Sequence, residues 1–148
     1  MKTPKLISIL ARSFFVLILV GNLIAEKPVA SENSELASYA QDLYRQHGID
    51  ISRSAFELQE KKSWGRIFVI QIVSRQSTLS EDLLQAFLVG GAVSQHAKKK
   101  IDEVVVVADV EFSDRESMVL RSGAACCEKL YNNRMTVDNF TADCLRME

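Results

Sequence analysis

Trp64-Gly65-Arg66-Ile67-Phe68-Val69-Ile70-Gln71-Ile72-Val73-Ser74 reads as a β-strand. Ile67, Phe68, Val69, Ile70, Ile72 and Val73 are β-branched or aromatic, side chains that fit a pleated surface. Almost no polar residue alternates with them, which is the pattern of a strand covered on both faces. The strand is therefore central, and its neighbours are sought on either side of it in the chain.

Upstream, Glu60-Lys61-Lys62-Ser63 is a charged turn, and residues 54–60 form a weaker strand. So short a connection favours an antiparallel hairpin. Before that, Leu36, Tyr39, Ala40, Leu43 and Tyr44 recur at helical spacing, predicting a helix over 35–48. Ser34 is its expected N-cap, and Gly48 closes it, because glycine takes the left-handed turn without steric cost. Residues 26–34, with Pro28, Ser31, Asn33 and Ser34, read as a polar linker.

Downstream, Thr78-Leu79-Ser80-Glu81 has the form of a capping box and opens a helix running to about Lys99. Its end at Lys98-Lys99-Lys100 suits the negative pole of the helix dipole. Val104 to Phe112 follows as a second central strand. Strand, helix and strand in this order make a crossover, expected to be parallel and right-handed. Ser113-Asp114-Arg115-Glu116 has the same capping form and predicts a helix over 115–132, broken by Asn132-Asn133. A last helix is expected over 137–147. The predicted class is α+β: a small mixed three-stranded sheet, hairpin plus crossover strand, with about four helices in the order αββαβαα. One domain spans 35–148, without internal repeats or low-complexity segments.

The first 25 residues speak to destination. Lys2, Lys5 and Arg12 give a basic start, Phe14 to Val20 an apolar core, and Gly21, Asn22 and Ala25 a small-residue exit. This is the pattern of a secretory leader. A spanning helix needs about 20 apolar residues. Counting from Leu6 reaches that length only by burying Arg12, at about 2.5 to 3.5 kcal/mol. A cleaved signal is the favoured reading and an uncleaved anchor the alternative. Ala25 suits the position before a cut, although Leu23 two places earlier is large. The leader holds three of the 18 basic residues and none of the 19 acidic ones, so the mature chain carries −4. That balance offers no general attraction to nucleic acid or to anionic membranes. Contact with a membrane is expected only through residues 1–25, if they are uncleaved.

Three cysteines sit near the end: Cys126, Cys127 and Cys144. In an oxidising compartment Cys144 is expected to pair with one of the adjacent two. On a helix begun at 115, Cys127 lies near the centre of the apolar face and Cys126 at its edge. Val137, Phe140 and Cys144 form the facing stripe, so the predicted disulfide is Cys127–Cys144. Cys126 is then left free, packed or reactive.

Other chemistry is sparse. His47 and His96 fall at helix ends, where the dipole accounts for them, and no metal-ligand spacing such as C-x-x-C or H-x-x-x-H occurs. Asp109 and Glu111 share a face at the end of a strand, with Asp114 beyond; they read as an emerging polar face or as a carboxylate cluster at the strand's carboxyl end. Ala86, Gly90, Ser94 and Ala97 make a small-residue stripe on the long helix, read as close packing or as a dimer face. Trp64 is either a binding anchor or a lid on the core edge. Neither a G-x-S-x-G elbow nor a Walker loop is present, and no cofactor or metal is expected.

The leading functional expectation is an exported, non-catalytic module that binds another protein or itself. Cys126, Trp64, Gly90, Asp109 and Glu111 are its candidate surface residues. The alternatives are a small exported enzyme or thiol protein using Cys126 or the Asp109, Glu111 and Asp114 cluster, and a small-ligand binder with its pocket between the long helix and the sheet.

Overall fold

A computed structural model describes residues 28–111 and 116–148. The leader, with its proposed cut, and the Ser113–Asp114–Arg115 part of the second capping box lie outside the described residues. The fold is mixed α+β, with four helices and a five-stranded sheet in the order β1-β2-β3-β4-β5. The elements are α1 (Pro28–Gln46), β1 (Phe56–Lys61), β2 (Gly65–Arg75), α2 (Leu79–His96), β3 (Glu103–Glu111), β4 (Glu116–Gly123), α3 (Ala124–Tyr131), α4 (Val137–Asp143) and β5 (Arg146–Met147). A 3-10 turn, Arg53–Ala55, leads into β1.

The hairpin and crossover are as expected: β1 pairs antiparallel with β2, and β2 pairs parallel with β3 through α2. Beyond β3 the prediction fails. The sheet has five strands, not three, because Glu116–Gly123 is a strand antiparallel to β3 rather than part of a helix over 115–132. The physical reason is the valine run of β3. Val104, Val105 and Val106 are buried, so backbone groups on the far edge of β3 need partners that water does not supply. β4 supplies them. The last helix also stops early, at Asp143, and Arg146–Met147 pairs antiparallel with β4.

Residues 28–34, read as a linker, are the first turns of α1 rather than a connector, and Ser34 lies inside the helix rather than capping it. The cause is tertiary. Glu32 is buried against Arg66 at 2.8 Å, and Asn33 Oδ1 accepts the Leu58 backbone N–H at 2.7 Å. The helix is extended by what it docks on. At α2 the capping box does not form: Thr78 Oγ1 donates instead to Asp82 Oδ2, at 2.8 Å. α2 ends at His96, and the three lysines lie beyond it, past Ala97.

Every described helix packs on one face of the sheet. Leu36, Ala40, Phe87, Val93, Cys127, Leu130 and Phe140 join Phe56, Leu58, Phe68, Ile70, Val104, Val106 and Leu120 in one core. Two glycines let the helical layers close. A Cβ on Gly90 would stand 2.6 Å from Val104 Cγ1, and one on Gly91 would overlap the Cys127 carbonyl. A second, smaller cluster of Ile67, Val69 and Val105, with Val107 and Val119 beside it, lies on the opposite face. The expectation that β2 is covered on both faces is thus corrected: among the described residues, helices cover only one.

Candidate functional site

The open face is built by register. Residues opposite one another in adjacent strands share a face, so the rows can be read from the pairing. One row runs Glu57, Val69, Val105, Arg121, Arg146; the next runs Gln71, Val107, Val119. Further along stand Val73, Asp109 and Ser117, then Arg75 beside Glu111. The centre is therefore aliphatic and the border charged in both signs. Val73 is 68% exposed although it is β-branched.

Trp64 enters this face from the hairpin turn. It is 54% exposed, and Arg121 Cζ lies 4.4 Å from its ring centroid, with Lys61 Nζ at 5.8 Å. Arg121 is itself fixed. Its Nε and Nη2 donate to the two oxygens of Glu103 at 3.1 and 2.5 Å, and its Nη1 donates to Glu148 Oε1 at 2.7 Å. The bond to Glu103 raises the guanidinium pKa above its already high ordinary value, so the charge is permanent. Tryptophan and arginine are both enriched among the residues that carry the binding energy of protein interfaces, and a cation over an indole face is a favourable contact.

The cysteines pair differently from the prediction. The disulfide joins Cys126 to Cys144, with Cα atoms 6.2 Å apart, and Cys127 is the free, fully buried one. Cys127 does lie at the centre of the helix face, but that centre is the core, where the Gly91 backbone approaches it. The edge position of Cys126 is where the C-terminal segment reaches α3. Burial pushes the Cys127 thiol up to about 12, which removes it as a nucleophile at neutral pH. Cys126, bonded, is no free thiol either.

Gly90 is buried against β3, so it is an internal packing residue and no surface candidate. Asp109 and Glu111 are exposed on the open face, as their spacing implied, and Asp109 Oδ1 accepts from Ser117 Oγ at 2.5 Å. Asp114 lies outside the described residues. His96 stacks on Tyr39 with ring centroids 4.1 Å apart, and His47 lies exposed just past α1. Among the described residues, no group of three or more His, Cys, Asp or Glu is placed to hold a metal ion, and no helix is long and apolar enough to cross a membrane.

Sequence reasoning missed Arg121, Glu103 and Val119. The signal was present: Met118, Leu120 and Ser122 alternate with Val119 and Arg121 at period two, which the helical reading of 115–132 overrode. Comparison with family models, with curated proteins and with solved structures found no match for this chain.

Proposed function

We propose that this chain is an exported, non-catalytic protein that associates with a second copy of itself through the open face of its sheet. The observation that carries the reading is the aliphatic centre of that face, where Val73 is exposed and Val107 and Val119 are half-buried, bordered by charges whose positions suit a two-fold. An apolar patch within a polar rim is characteristic of interaction sites.

The occupant follows from charge. A two-fold axis parallel to the strands, between β2 and β3, exchanges β2 with β3 and β1 with β4. It sets Val69 over Val105 of the second copy, Glu57 over Arg121, and Arg75 over Glu111, each contact made twice. Val73 meets the rim at Asp109, whose carboxylate is tied to Ser117. Isologous pairing of this kind is the commonest route to an oligomer, and aligned sheet-on-sheet packing buries two such faces together. The mixed rim gives no comparable match to nucleic acid or to an anionic lipid surface.

Export is supported by the composition of residues 1–25 and by the Cys126–Cys144 pairing, which persists in oxidising compartments. Sedimentation of the protein from its own cells over a dilution series tests association: a monomer–dimer equilibrium is expected, and a strict monomer at every concentration overturns the reading. Intact mass of the same material tests export, with the leader absent and one disulfide present. Full-length protein bearing three free thiols would refute it.

A further inference from the structure

A cavity of about 410 Å³ lies at the other edge of the sheet, away from the Trp64–Arg121 pair. β1 begins at Phe56, which pairs with Ile70, whereas β2 continues to Arg75. Beyond Ile70, that edge of β2 has no strand beside it among the described residues. The segment from Ile49 to Ala55 passes alongside and closes a groove between itself, β2 and the first turns of α2. The groove is of the size that holds a small organic ligand.

Its chemistry is one-sided. Asp50, Asp82 and Asp109 line it, with the amides of Gln71 and Gln85, and no Lys, Arg or His does. The walls between them are aliphatic, from Ile49, Ile51, Ile72 and Val73. At its base is Tyr44, only 3% exposed, whose hydroxyl has no hydrogen-bond partner. Burying a hydroxyl without a partner is costly, so such a group calls for a ligand atom. Asp82 stands near enough to Tyr44 to act on it electrostatically, while its Oδ2 is occupied by Ser74 Oγ at 2.5 Å and Thr78 Oγ1 at 2.8 Å. Those two hydroxyls fix the carboxylate in place beside the phenol. The arrangement is built, and nothing within the fold uses the Tyr44 hydroxyl.

We propose that this groove binds a small organic cation, an alkylammonium or guanidinium compound with a short aliphatic arm. The cationic head lies against Asp82, the phenol oxygen of Tyr44 accepts one of its N–H groups, and the arm packs on Ile51 and Ile72. A carboxylate or phosphate would meet three acidic side chains and no base. An uncharged alcohol would forgo the charge-assisted bonds that make such contacts strong.

The test is amide and side-chain NMR of the intact protein, titrated with n-butylamine and with agmatine at neutral pH. 1-Butanol and butyrate serve as uncharged and anionic controls. The two cations are expected to shift Gln71, Ile72 and Gln85, with the controls at least about tenfold weaker. Tyr44→Phe is expected to weaken the cations about fivefold. It should leave the thermal midpoint unchanged or raised, because the hydroxyl it removes is unpartnered in the free protein. Asp82→Asn, read in parallel, should weaken them more than Tyr44→Phe does. Absence of shifts at these three residues, equal response to 1-butanol, or cation affinity unmoved by Tyr44→Phe would each overturn the proposal.

Discussion

The guanidinium over the indole of Trp64 is already braced: Arg121 Cζ is 4.4 Å from the ring centroid while Glu103 and Glu148 hold its nitrogens. The contact reaches from the start of β2, across β3, to β4, so one side chain ties three strands on the open face. Trp64 remains more than half exposed, which leaves it free to bury a second surface. Trp64→Ala is therefore expected to weaken self-association at least about tenfold, as loss of a central aromatic anchor does. Its thermal midpoint should stay close to wild type. Sedimentation together with calorimetry checks both, and a large fall in stability with unchanged association would make Trp64 a core lid instead.

The two-fold makes a sharper demand of Arg75 and Glu111. Both are exposed, they pair in register on adjacent strands, and in the proposed dimer each faces the other's counterpart. Arg75→Glu alone and Glu111→Arg alone should each weaken the dimer several-fold by setting like charges opposite one another. The double reversal should restore it. Loss that compounds in the double variant, rather than recovering, would exclude this axis.

Cys126–Cys144 closes a loop of 18 residues that holds α4 and the final strand to α3. In the chain-entropy account such a closure is worth about 3 kcal/mol. Replacing Cys126 and Cys144 together by Ala should lower the unfolding free energy by about that much, measured by urea denaturation without reductant. Replacing Cys127 by Ala should leave the bridge intact. The native, non-reduced protein should show no thiol reacting with a colorimetric disulfide reagent, and the unfolded one should show a single thiol.

What was legible in the sequence was the part governed by local pattern. The two apolar strands, their parallel crossover through the long helix, and the break at Asn133, which adopts a φ of 56°, are all written in short-range periodicity and turn chemistry. What was not legible was decided by distant partners. Residues 28–34 become helix because Glu32 and Asn33 have Arg66 and Leu58 to meet, about 30 places along the chain. Glu116–Gly123 becomes a strand because β3 needs an edge partner, although Ser113 and Glu116 imitate a helix start. The site inherits these limits. Trp64 was visible as a lone aromatic after a turn, but Arg121 could not be placed beside it until β4 was recognised as a strand.

Gly91 and Gly90 separate two kinds of close approach. A Cβ at Gly91 meets backbone, the Cys127 carbonyl, whereas the nearest atoms to one at Gly90 all belong to the side chain of Val104. Backbone in a packed helix cannot step aside, so Gly91→Ala should cost more than Gly90→Ala. Overpacking of this kind runs to about 1 to 3 kcal/mol. The Gly90→Ala loss should be partly recovered by adding Val104→Ala, which vacates the clash. No second substitution at Val104 should rescue Gly91→Ala. Urea midpoints of the single and double variants settle the comparison.

Alkali should unfold this protein through its buried acids. The Cys127 thiol is raised by burial from an ordinary 9.0 to about 12, an opposing hydrogen bond with Ser122 notwithstanding. Burial, and then the Asp82 charge, raise the Tyr44 phenol above its ordinary 10.0. A group with a raised folded-state pKa binds its proton more tightly when folded. Its contribution is complete below the unfolded value and drains away as pH climbs towards the folded one. For Cys127 that window runs from pH 9.0 to about 12. Wild type should thus lose stability steadily above pH 9.0, while Cys127→Ala, though weaker at neutral pH for its smaller side chain, should show a flatter decline over the same interval. Tyr44→Phe should flatten the part of the curve above pH 10.0. Urea unfolding followed by circular dichroism at stepped pH measures these slopes. If wild type and Cys127→Ala fall in parallel, the thiol ionises inside the fold at no cost, and the dry contact between α2 and α3 around Gly91 is not closed in solution.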